Sequence, residues 1–241
     1  MPLPKLVVPE YECELPSTGE KVKYRPFLVK EEKILLMAME SNNEKDMMNA
    51  VKTIIRNCTS IKRKIDVLPT FDIEFLFLRI RAKSAGEEAD VIITAPDDGE
   101  TEIKIKVPLE EVVCEKPEGH DPKIMLDDDT GVVMSYPSLD TFVKENISGT
   151  TQTESDSINQ VFSIAAGCIS QIFQGEEVWE AKDCTKKELT EFLESLTNDQ
   201  FIKLQSFFET MPKLQWKSEV KNPETGVTSE VVLEGLSSFF G

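Results

Sequence analysis

One phrase recurs along this chain and limits what the chain can fold into. It is a Pro, two small or acidic residues, a Gly, and then an alternating run. "LPSTGEKVKY" (15–24), "APDDGETEIKI" (95–105) and "NPETGVTSEVVL" (222–233) share it, and "LDDDTGVVMSY" (126–136) is a looser version. Gly supplies the positive φ of a tight hairpin without a Cβ penalty. Pro sets the entry, and Asp or Thr side chains hydrogen-bond back to the turn backbone. A chain punctuated in this way predicts antiparallel hairpins rather than an alternating βαβ rhythm. The turns at 95–99 and 222–226 also read as zinc-knuckle hairpins whose ligands are missing. The chain has five cysteines and a single His, and no two cysteines are two to four residues apart. That spacing builds neither a usual Cys/His zinc site nor a disulfide framework, and it suits thiols in a reducing compartment.

Helical periodicity separates the hairpins. "VKEEKILLMAME" puts Ile34, Leu35, Met37, Ala38 and Met39 on a broad apolar face. Asn42 and Asn43 break it. "EKDMMNAVKTIIRNC" follows, with Met47, Met48, Val51, Ile54 and Ile55 turned inward. "FDIEFLFLRIRAKSAGE", rich in Phe and Leu, predicts a third helix closed by Gly86. From Ala89 to about Tyr136 the pattern changes to β, with Ile103, Ile105 and Val107 alternating against Lys104 and Lys106. Beyond it, "SLDTFVKENI" predicts a helix capped by Ser138, and "SINQVFSIAAGCISQIF" a strongly apolar one. "TKKELTEFLESL" opens with a capping-box pattern from Thr185 to Glu188, and "TNDQFIKLQSFFETM" is capped by Thr197 or Asn198 and stopped by Pro212. The expected class is α+β: helices interrupted by short antiparallel hairpins, two of them zinc-ribbon-like without metal ligands. The expected division is 1–148, with the N-terminal hairpin, helices and central hairpins, and 149–241, with a helical segment, a final hairpin and an apolar tail. A single α+β unit is the alternative.

The formal charge of −17 argues against a phosphate-binding surface, because that affinity is dominated by cations. It fits solubility and partners with basic surfaces. No signal peptide or membrane-spanning run is predicted. Catalytic signals are sparse. His120 sits in the polar run "EKPEGHDPK", where a solvated loop side chain is expected. Asp97-Asp98 and Asp127 to Asp129 would serve a hydrolase only with a metal to supply electrophilic power. No Gly-rich phosphate loop, nucleophile elbow or EF-hand frame is present. No catalytic, metal or cofactor residue is therefore expected. Apolar residues offer another reading. Met37, Met39, Met47 and Met48 suit either core packing or an adaptable contact surface. Leu233, Leu236, Phe239 and Phe240 in the tail either fold back on the core or wait for a partner.

The stretches "LPSTG", "YRPFLVKEEKILL", "FDIEFLFLRIRAKSAGE" and "LEGLSSFF" carry a resemblance over most of the chain, weakest between about Glu115 and Gly149. The sequence resembles the baseplate hub subunits and hub assembly proteins of T-even-type contractile-tailed bacteriophages. That resemblance implies a non-enzymatic late protein of tail assembly, either a structural subunit or a chaperone-like assembly factor. It implies other hub and tail proteins as partners, and a place in the host cytoplasm during assembly or in the tail baseplate of the virion. Where relatives carry Cys pairs at the Pro-x-x-Gly turns, this chain has Pro96-Asp-Asp-Gly and Pro223-Glu-Thr-Gly.

Overall fold

The computed structural model describes residues 6–41, 43–138 and 154–239. In chain order the elements are β1 (Tyr11–Glu14), β2 (Lys21–Tyr24), α1 (Val29–Ser41), α2 (Glu44–Cys58), α3 (Thr70–Ala85), β3 (Glu88–Thr94), β4 (Glu102–Pro108), β5 (Val113–Glu115), β6 (Lys123–Met125) and β7 (Thr130–Met134). Then come α4 (Glu154–Cys168), β8 (Ile169–Gln174), β9 (Glu177–Glu180), α5 (Lys186–Glu194), α6 (Asn198–Thr210), β10 (Lys213–Lys221), β11 (Thr228–Glu234) and a closing 3-10 turn at Leu236–Phe239. The class is α+β, and every sheet among the described residues is small and antiparallel. Two compact units form. The first comprises 1–65, 71–115 and 212–241, and the second 66–70 and 116–211. The predicted helix at "SLDTFVKENI" falls, beyond Ser138, outside the described residues.

In the first unit α3 is buried almost all round. Phe71, Ile73, Phe75, Leu76, Phe77, Leu78, Ile80 and Ala82 are all buried. A helix apolar on every side is stable only when other elements enclose it. Its polar residues hold those elements. Asp72, fully buried, accepts from the Ser17 amide at 3.0 Å and from the Ser17 hydroxyl, fastening the first Pro-x-x-Gly turn. Ser84 accepts from the Phe27 amide at 2.9 Å. Arg79 donates to the carbonyls of Glu110 and Val112 at 2.9 and 3.0 Å, fixing the β4–β5 connection.

The junction of β2, α1 and α2 rests on a second buried carboxylate. Glu31 is fully buried and takes the Leu28 amide at 2.9 Å, Arg25 at 3.2 Å and Lys30 at 3.3 Å. Arg25 also donates to the Pro26 and Asn57 carbonyls. Burial opposes the charge on Glu31, but the Leu28 amide, Arg25 and Lys30 outweigh it and hold its carboxyl below the usual range.

The second unit is a four-stranded sheet, β6-β7-β8-β9, packed on α4, α5 and α6. Its core joins Leu126, Val132 and Met134 to Ala165, Ala166, Ile169, Leu189, Leu193, Leu204 and Phe207. The apolar run predicted as one helix breaks at Cys168 into α4 and β8. Ile169, Ile172 and Phe173 suit a pleated strand, and β8 pairs with β7 on one side and β9 on the other. Gly175, at φ 58°, makes the following turn. The looser fourth turn also departs from expectation. Its Gly131 lies within β7 without a positive φ, and a Cβ there would sit 2.7 Å from the Ile124 carbonyl oxygen and against the Phe173 ring. Asp127 closes that turn by accepting the Asp129 and Thr130 amides.

Replacing Glu31 with Ala strands Arg25 and the Leu28 amide. We expect a stability loss of about 3 kcal/mol, as for one member of a buried ion pair, read from the urea midpoint of the full chain.

Candidate interaction surface

The two zinc-knuckle-like turns meet. Each is closed by the same bond: the Gly99 amide to the Ala95 carbonyl and the Gly226 amide to the Asn222 carbonyl, both 2.9 Å. Gly99 and Gly226 stand at φ 69° and 77°, where only Gly is comfortable. Asn222, 1% exposed, donates to Asp97 at 3.0 Å and to Asp98 at 2.9 Å. Thr225 donates to Asp97 at 2.5 Å. Hydrogen bonds thus stand where a knuckle pair would hold a metal. These donors also depress both acids: Thr225 and then Asn222 lower Asp97, and Thr101, its own turn amides and Asn222 hold Asp98 far below the usual range. The acidic turns are engaged in structure. Among the described residues, no three His, Cys, Asp or Glu side chains gather in a way that could hold a metal ion.

His120 is not the solvated loop side chain that its polar neighbours suggest. It is 6% exposed, and its ring forms a three-ring cluster with Tyr136 and Phe207, at centroid distances of 5.6 and 5.0 Å from them. Nδ1 lies 2.9 Å from the Thr210 hydroxyl and Nε2 3.1 Å from the Tyr136 hydroxyl. Thr210 donates its own proton to the Ser206 carbonyl, so it must accept from His120. That assigns the proton to Nδ1 and makes Nε2 the acceptor from Tyr136. Burial, then the nearby Lys116, lower the imidazole pKa. The group is a structural brace.

The tail folds back in the described residues. Phe239 is fully buried, Leu233 is 9% exposed and Leu236 is half-buried. The closing 3-10 turn lies against β3 and β11, and the Leu236 amide donates to the Glu74 carboxylate. Burial pushes that carboxyl up to about 7. Phe240 lies outside the described residues.

The methionines divide. On α2, Met47 and Met48 are half-buried beside the buried Val51, Ile54 and Ile55. On α1 Ile34 and Leu35 are half-buried, but four apolar residues face water: Val29 is 80% exposed, Leu36 55%, Met37 60% and Met39 58%. The residues that α1 buries are Glu31 and Ala38. Arg25 and the Leu28 amide require Glu31 on the inner side, which turns Val29, Leu36, Met37 and Met39 outward. Sequence periodicity cannot reveal this, because Arg25 and Leu28, which draw Glu31 inward, lie outside the helix.

Residues 8–241 match the profile of a family described as "T4 bacteriophage base plate protein". The chain belongs to that family. No curated protein and no solved structure matches it. In a baseplate family the chemistry to look for is contact between proteins, and the outward side of α1 is an exposed apolar surface. Among the described residues, no helix of this baseplate protein is long and apolar enough to cross a membrane.

Two outcomes are expected. Replacing Asn222 with Ala leaves Asp97 and Asp98 side by side without their shared donor, at a cost of about 1–3 kcal/mol in chemical denaturation. The one imidazole of the chain, followed by NMR, should titrate below the ordinary 6.5. The unfolded chain then binds a proton that the fold refuses, so stability is full above 6.5 and falls as pH drops from there through the folded value.

Proposed function

We propose that this baseplate protein is a non-enzymatic hub component or hub assembly factor. It works by binding another hub or tail protein through the outward side of α1. The observation that carries the reading is the exposure of Val29, Leu36, Met37 and Met39 on a helix whose inner side is occupied by Glu31 and Ala38. Exposed apolar side chains grouped on one element mark a contact surface. Met adapts its shape to a partner better than branched side chains do. The resemblance of "YRPFLVKEEKILL" to hub proteins supports the hub assignment, and that stretch runs into α1. The same reading puts the chain in the host cytoplasm while baseplates are built.

A metal-dependent hydrolase has no observation in its favour. The Asp97, Asp98 and Asp127 carboxylates are taken up by turn donors, and no ligand set gathers around them among the described residues.

The test is a double substitution, Leu36→Glu with Met37→Glu, in a phage expressing the full chain. Both side chains are more than half exposed, so the fold should survive. Recovery of baseplate proteins with the tagged chain, identified by mass spectrometry, should fall about tenfold or more, the scale of a lost interface hot spot. Recovery equal to wild type would remove α1 as the contact. Detection of the chain in purified particles at a fixed ratio to other tail proteins would make it a subunit. Its presence only in infected-cell extracts would make it an assembly factor.

A further inference from the structure

The second unit differs from the first in charge. It carries 7 Lys and Arg against 19 Asp and Glu, a net −12, while the first carries 20 against 25, a net −5. It also has an apolar groove of about 380 Å³ between the sheet and α5. The cross-strand pair Ile172 on β8 and Trp179 on β9 makes the floor, flanked by Thr130 of β7 and Gln174 of β8. Ile172 is half-buried and Trp179 41% exposed. Leu189 and Phe192 of α5 form the opposite wall. Glu188 lines the groove as a fixed negative charge. Its carboxylate accepts the Thr185 amide at 2.7 Å and the Thr185 hydroxyl at 2.8 Å, and these bonds hold its pKa below the usual range. The segment 176–194 around it has seven acidic residues against three lysines. Lys187, one of the three, is paired with Glu191 at 3.4 Å.

We propose that this groove is a second docking site, and that it takes a cationic amphipathic segment of a partner protein. One large apolar side chain of that segment would lie against Trp179, and its Lys or Arg residues would lie along the acidic surroundings. An exposed Trp beside a concave apolar floor has the character of an interface anchor. Charge selects among occupants. A second copy would bring −12 against −12, and nucleic acid would bring phosphate, so like charges oppose both. A basic segment meets attraction at long range and an apolar pocket at contact. The site differs chemically from the outward side of α1, where the apolar residues are interspersed with both Lys and Glu. The chain then has two contacts of different selectivity, and neither depends on the other for its test.

The experiment uses the full chain and a synthetic amphipathic helix made of Lys and Leu, with a Glu-and-Leu peptide of the same apolar spacing as its counterpart. Binding is read from tryptophan emission, since the other Trp, Trp216, is buried. The Lys-Leu peptide should shift the emission to the blue and bind more weakly as salt rises. Trp179→Ala, which leaves the charge unchanged, should weaken binding about tenfold, measured by calorimetry because the reporter is gone. Glu177→Lys, two residues away on the same strand face, should weaken it while keeping the blue shift at saturation. Equal binding of Trp179→Ala would show mere charge attraction and overturn the proposal. So would equal binding of the Glu-Leu peptide, or no binding of either. Self-association of the wild-type chain that Trp179→Ala abolishes would give the groove to a second copy and overturn it as well.

Discussion

The first unit depends on one constraint: α3 has no side that tolerates water. Eight apolar residues within Phe71–Ala82 are buried, so strands and turns must close around the helix from several directions. Enclosure raises a second demand, because the surrounding turns and connections carry backbone amides and carbonyls that still need partners. The few polar residues of α3 meet it. Asp72 takes the first turn through Ser17, Glu74 takes the tail through the Leu236 amide, Arg79 takes the carbonyls after β4, and Ser84 takes the Phe27 amide. Each of these four polar positions therefore fixes a piece of chain distant in sequence. Losing one would loosen a particular connection before it emptied the core.

The repeated Pro-x-x-Gly phrase acquires a physical sense from this enclosure. Three copies close with the same Gly-amide bond, and all three are used as rigid corners. One is fastened to α3 through Asp72. The other two are fastened to each other through Asn222, which gives two donor bonds where a metal knuckle would use thiolates. A hydrogen-bonded corner of this kind works without a metal supply, at the cost of depending on a single buried amide.

Much of the framework was legible in the sequence because it is written in local chemistry. Turn residues, the helix caps at Thr185 and Thr197, the periodicity of α2 and the Phe- and Leu-rich run of α3 all act within a few positions of themselves. What escaped depends on contacts across long separations. His120 reads as a polar-loop residue, yet Tyr136, Phe207 and Thr210 bury it from 16 to 90 positions away. The β8–β9 hairpin hid inside an apolar run that continues the helical pattern of α4. The signal available was the β-branched and aromatic content of Ile169 to Phe173 just before Gly175. The outward side of α1 escaped for the opposite reason: its apolar residues looked like core until the buried Glu31 fixed the helix rotation. Gly131 reads as a turn glycine, and the Ile124 carbonyl and the Phe173 ring on the strands either side explain it.

Function in this baseplate protein is then a matter of what the framework leaves uncovered, and the side of α1 facing water is the central case. Cross-linking mass spectrometry on baseplate intermediates from infected cells tests it most directly, because Lys30 and Lys33 lie on α1 and report what is near it. Cross-links from these two lysines to another hub or tail protein are expected, and they should be lost when Leu36 and Met37 are made acidic. Cross-links from Lys30 and Lys33 that stay within this chain, while other lysines reach other tail proteins, would contradict it.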